Sequence, residues 1–237
     1  MKNWRFILFI VAALASVAYS LLAPPAQAFQ DPSLARLIFF HLPCAFIATG
    51  FIVLSAWFGF RYLSEEKMAF DARNAATTEL GAIFAALTMA TGVLFSKFQW
   101  GQWWQNDPRQ TSFLIVLLLC AAGVALRAGV SDEQKAAKAS AAYSVATVLP
   151  GLFLIFVLPR ILQSFHPSNT IVSGGFSGAY WAGIFLAFVV MVAAARTLYV
   201  ERTQKELSKY GHSDPSDSPS PYPRRPVAVS KIDQGQE

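Results

Sequence analysis

The chain has 237 residues, 54% of them hydrophobic and only 14% charged, with a formal net charge of +5. A water-soluble domain of this size needs far more polar surface, and several uncharged windows approach the ~20 residues that cross a bilayer core. Composition therefore excludes a soluble domain and describes an all-α integral membrane protein.

Six uncharged runs are the predicted spans, beginning with Phe6 to Leu22. The flanks of that first run, "MKNWR" and "APPAQAF", also resemble a signal peptide with an Ala26-Gln27-Ala28 cleavage pattern. Cleavage there would leave five spans and an outward N-terminus. The apolar run exceeds the ~7–15 residues of a signal core, so it is read as a span.

Span two, Leu37 to Phe60, opens with "FFHLPCAF" and so carries His41 and Cys44 near its outward end. Span three is Leu80 to Phe95, followed by the connector "WGQWWQNDPRQT" from Trp100 to Thr111. The spacing of Trp100, Trp103 and Trp104 puts all three on one face if the connector is helical. Two readings are open at this point: an aromatic belt at the lipid boundary, or a shelf against which a large planar ligand stacks. "DPRQT" reads as an N-cap, Asp107, followed by proline at the first helical position. Arg109 then lies in the first turn of the next helix, where the helix dipole disfavours a cation. That placement points to an anionic partner, with haem propionates and lipid phosphates both candidates; Arg36 and Arg160 are placed for the same role or equally as ordinary interface arginines.

Span four, Thr111 to Val130, contains Cys120 and ends near Arg127, an arginine expected to snorkel to the headgroups. Cys44 and Cys120 fall at similar depth in their spans, which leaves a disulfide open; buried free thiols are the expected state. Span five is Ser140 to Leu158, and the connector after it, "QSFHPSNT", holds His166. Span six is Phe176 to Ala195. The chain divides into a membrane domain, 1–204, and a tail, 205–237, rich in Ser, Pro and charge and expected to be disordered and cytoplasmic. His212 in that tail is incidental.

Of the 19 lysines and arginines, fifteen fall on the side of the N-terminus and four (Arg36, Lys97, Arg109 and Arg160) on the other. Positive charge is retained on the cytoplasmic side, so both termini are expected there and the tryptophan connector faces outward. His41 and His166 then share that outward face. Asp31 and Asp107 are the only carboxylates in the outward connectors, which supplies a closed zinc site poorly. A metal needing only two axial protein ligands, such as haem iron, fits better. Cys44, three residues after His41, is an alternative axial ligand. No paired nucleophile and base, phosphate-binding glycine loop or basic nucleic-acid patch is present.

The connector resembles the tryptophan-rich WWD signature of the CcmC/CcsA family, membrane haem-handling proteins of cytochrome c biogenesis, whose pattern is similar to W-G-x-W-W-x-W-D-x-R-x-T. Trp100, Gly101, Trp103, Trp104, Asp107, Arg109 and Thr111 match, and Asn106 stands where the family usually has another tryptophan. "APPAQAFQDPSLARLIFFHLPCAF" is similar to the family's segment before span two, and the six spans and short loops resemble CcmC more than the larger CcsA subunits.

The resemblance implies a haem-transfer protein of the inner (plasma) membrane, concerned with delivery rather than catalysis. It implies haem b as the bound group, His41 and His166 as axial iron ligands, and Trp100, Gly101, Trp103, Trp104, Asp107 and Arg109 as the haem-binding connector. Implied partners are a periplasmic haem chaperone of the CcmE type and ABC transporter subunits of the cytochrome c maturation system, within membrane lipid and without nucleic acid. Two other classes stay open: a structural or permease-like transporter subunit that binds no haem, and a redox haem subunit, which would place its ligands at two membrane depths.

Overall fold

The computed structural model describes residues 3–26, 29–166 and 176–210, and all regular structure among them is helical. Helix α1 is Asn3–Leu22, and a 3₁₀ turn, Leu34–Leu37, leads into α2, Ile38–Glu65. Then follow α3 (Met68–Trp100), α4 (Pro108–Gly129) and α5 (Glu133–Leu152). A π-helical turn, Phe153–Val157, joins α5 to the short α6, Leu158–Ile161, and α7 is Gly178–Tyr210. Gln27, Ala28, His212 and residues 211–237 lie outside the described residues, and with them the cleavage pattern and most of the expected tail.

Five of these stretches are long and apolar enough to cross a membrane: Leu34–Glu65, Met68–Trp100, Pro108–Gly129, Glu133–Ile161 and Gly178–Tyr210. Their backbones satisfy their own hydrogen bonds within each rod, the condition for lying in hydrocarbon. The apolar part of α1, Ile7–Leu22, is shorter. Antiparallel α2 and α3 form the central pair; α5 packs on α2, α4 on α3, α7 across both, and α1 on α7.

Several helices run well past their uncharged segments. Helix α3 begins at Met68 rather than near Leu80, and α7 continues to Tyr210, beyond the boundary drawn at residue 204. The physical reason is pairing between polar side chains on different helices. Asp71 is fully buried, and both its oxygens accept hydrogen bonds of 2.7 Å from Arg127. The Tyr210 hydroxyl also donates to Asp71. Arg127 therefore does not snorkel to headgroups as expected; it joins α4 to α3 and α7. Asn74 does similar work for α3, donating to the Ser55 carbonyl at 2.7 Å and the Ser144 hydroxyl at 3.0 Å. Both cysteines are free thiols, and Cys44 packs into the core with Ile47, Ala48 and Phe51.

Candidate functional site

At the end of the bundle opposite Asp71, a cavity of about 310 Å³ opens between α2, α3, α4 and the α5–α6 rod. Its size falls within the ~300–1,000 Å³ usual for small-molecule sites. His41, in the first turn of α2, and His166, in the loop after α6, both line it. So do Arg109 and Arg160, with walls that include Phe29, Phe95, Phe113 and Phe176.

His41 is held by α3. Its Nδ1 lies 3.0 Å from the Thr91 hydroxyl, and a side chain at Gly92 would come within 3.1 Å of its Cε1. Glycine there leaves the space the imidazole occupies.

His166 is held instead through Asp107. That carboxylate caps α4 by accepting from the Arg109 N–H at 2.8 Å, as the Asp-Pro pattern predicts. It also accepts from the Ser164 hydroxyl at 2.8 and 3.0 Å and from the Phe165 N–H at 2.6 Å. One buried side chain thus starts a helix and fastens the loop that carries the histidine. Burial works against its charge, but His166 beside it, the Ser164 hydroxyl and two backbone N–H groups outweigh burial and hold the carboxyl well below the usual carboxylate range. The imidazole of His166 packs against Trp100, with ring centroids 5.4 Å apart. Its Nδ1 is buried 3.8 Å from Asp107 Oδ1, beyond hydrogen-bond reach, and has no partner among the described residues.

The two cavity arginines carry charge that nearby carboxylates do not absorb. Asp107 is already occupied by its N–H and O–H donors, and Nε of Arg109 is buried without a partner among the described residues. Arg160 donates to the carbonyl of Phe156 on its own helical rod. Arg36, the third arginine considered from the sequence, does not line the cavity and donates to the Ala23 carbonyl.

A family model described as CcmC, heme exporter protein C, matches residues 1–210. The chain belongs to the CcmC family. It is 30% identical over 112 residues to "Heme exporter protein C" of Escherichia coli (strain K12), which covers 47% of this chain and 46% of that one. It is 28% identical over 158 residues to the protein of that name from Haemophilus influenzae, covering 67% and 61%. With the Bradyrhizobium diazoefficiens protein it shares 26% identity over 181 residues, covering 76% and 67%. The chain thus spans about half the length of the first of these relatives. Family membership and the five long apolar helices together make it a multi-pass inner-membrane protein.

In this CcmC-family chain the signature connector differs from the helical shelf that its spacing suggested. Helix α3 ends at Trp100, and Gly101 takes φ +81°, a left-handed conformation that suits glycine at a helix end. Residues 101–107 are irregular, so the three tryptophans do not share a helical face. Trp100 backs His166; Trp103 is 55% exposed, with the Lys97 ammonium 5.9 Å from its ring centre. Trp104 donates from Nε1 to Asn106 at 3.0 Å. Asn106 itself has φ +53°, a left-handed conformation in which asparagine is enriched. Cys44 does not line the cavity.

Sequence reading missed Thr91, Gly92 and Ser164. Thr91 had a signal, a hydroxyl inside an otherwise apolar span. Ser164 had none, because its partner Asp107 is remote in the chain.

Proposed function

We propose that this protein handles haem in cytochrome c maturation, binding it in the cavity between His41 and His166 and presenting it at the outer membrane face. The observation that carries the reading is that two histidines from distant parts of the chain line one cavity together with two arginines. Apolar aromatic walls suit a porphyrin face, two imidazoles suit its iron, and guanidiniums suit propionates. Among the described residues no group of three or more His, Cys, Asp and Glu side chains is placed to hold a metal ion.

In this reading the chain crosses the membrane six times, α1 included, with both termini cytoplasmic; the four-against-fifteen distribution of basic residues supports that orientation. His41 and His166 are the axial ligands of haem b, which is cargo rather than a resident group. Arg109 and Arg160 face its carboxylates, and Trp100 supports His166. The exposed part of the connector, with Trp103, is a docking surface for a periplasmic CcmE-type chaperone, beside ABC transporter subunits. The protein delivers haem and catalyses no reaction on it.

The test is the visible spectrum of the purified protein in detergent, for wild type, His41→Ala and His166→Ala, each with and without imidazole. A Soret band that weakens in both variants and recovers with imidazole is expected. A wild type that neither carries nor takes up haem would leave a structural or permease-like subunit as the better description.

A further inference from the structure

Thr91 has a single hydroxyl proton and three polar neighbours. Its Oγ1 lies 2.8 Å from the Leu87 carbonyl oxygen and 3.1 Å from that of Thr88, one turn back along α3, and 3.0 Å from Nδ1 of His41. Carbonyl oxygens accept and cannot donate, so the hydroxyl proton goes to the helix backbone, as it commonly does for threonine within a helix. The contact with His41 is then one in which Thr91 accepts.

We infer that His41 donates its Nδ1–H to Thr91, that Nε2 therefore carries the lone pair for a metal in the cavity, and that Thr91 is the positioning residue for this ligand. The inference rests on the haem reading for its purpose, though the tautomer itself does not. Ring nitrogens opposite a metal usually donate to a fixed acceptor, which sets the tautomer and the ring plane and raises ligand basicity. Here the acceptor is the Thr91 hydroxyl on a transmembrane helix, with the Thr88 carbonyl of the same turn beside it. The next residue completes the seat, since Gly92 leaves room for the ring edge at the position where a Cβ would stand 3.1 Å from Cε1. His166 is arranged differently, with an anionic carboxylate 3.8 Å from its Nδ1.

The experiment uses the full-length protein in detergent with Thr91→Val, which keeps the shape and removes the acceptor, Thr91→Ser, which keeps the acceptor, and Gly92→Ala. Histidine labelled with ¹⁵N reports the His41 tautomer in haem-free protein, with His41→Ala identifying its signals. Hemin is then titrated in, and its dissociation constant and midpoint potential are measured. We expect an Nδ1-protonated His41 in wild type and Thr91→Ser. Thr91→Val should weaken hemin binding about ten- to a hundredfold and shift the potential to more positive values, with Thr91→Ser near wild type. Gly92→Ala should displace the ring and reduce the low-spin fraction of bound hemin, so the seat is tested even where Thr91→Val fails to fold.

A wild-type His41 protonated at Nε2 overturns the inference, as does a folded Thr91→Val that matches wild type in both affinity and potential. Wild-type protein that binds no hemin overturns the haem reading instead, and the ¹⁵N tautomer still decides the role of Thr91.

Discussion

Arg127 and Arg109 stand near opposite ends of the same helix, α4, and meet opposite surroundings. Arg127 has a carboxylate that offers it both oxygens, with a tyrosine hydroxyl alongside. Arg109 lies next to a carboxylate already occupied by backbone N–H groups and Ser164, and its own Nε has no partner among the described residues. A buried guanidinium N–H left without an acceptor carries a desolvation cost. The Asp71 end of the bundle therefore uses its arginine to hold helices together, whereas at the histidine end Arg109 lines the cavity with its Nε unpaired among the described residues.

The largest effect should come from breaking the Asp71–Arg127 pair. Asp71→Ala leaves Arg127 the Tyr210 hydroxyl and a longer contact of 3.7 Å to Glu206 and should destabilise the protein by as much as about 3–5 kcal/mol, read as earlier thermal unfolding in detergent. Hemin affinity of the molecules that remain folded should be unchanged. The mirror experiment at the histidine end is Arg109→Gln, which should leave the unfolding temperature at or above wild type and lower hemin affinity by about tenfold or more, the worth of one charge-assisted contact of ~1.5–3 kcal/mol.

Asp107 blurs the contrast, because it serves both stability and the site. Asp107→Ala removes a helix cap worth about 0.5–2 kcal/mol and frees the His166 loop, so thermal stability and the Soret band should both fall. Its charge also sets a pH response. The folded-state pKa lies below the unfolded value of ~3.9, so this stabilisation is complete above that value and is lost as pH falls through the folded pKa. Acid unfolding of wild type and Asp107→Asn, compared below about pH 4, checks the sign: the variant should lack that component. The smallest effect is expected at Trp103→Ala, where an exposed side chain should change stability by no more than about 0.5 kcal/mol. A change confined to chaperone binding there would mark the connector as a docking surface.

Much of the frame was legible in the sequence because hydrocarbon imposes simple rules: long uncharged runs became helices, and Asp107-Pro108 became a cap and a helix start. Helix ends were misjudged wherever charge was hidden by pairing. Arg127 read as a residue near the end of a span and Asp71 fell outside every predicted span, yet the two form one ion pair with a fully buried carboxylate. The tryptophan spacing suggested a helical face, but Gly101 ends α3 just after the first tryptophan. His41 and His166 were singled out as chemistry, and the resemblance to CcmC linked them as ligands; Thr91 and Ser164, which hold them, depend on contacts between distant segments that no local pattern encodes.

The π-helical turn at Phe153–Val157 has a consequence for how this fold tolerates change in length. Pro159 lacks an N–H, and in an unbroken α-helix its ring would strike the carbonyl of Ile155; the wider turn accommodates it. That turn holds one residue more than an α-turn, so every side chain after it is rotated by about 100° relative to an uninterrupted helix. Leu154, Ile155 and Phe156 within that turn, and Pro159 and Arg160 after it, all reach the cavity. Deleting one residue between 153 and 157 would swing Arg160 away while leaving composition and hydropathy almost untouched. A gap that a surface loop would absorb silently becomes, in this stretch, a change in which side chain lines the cavity.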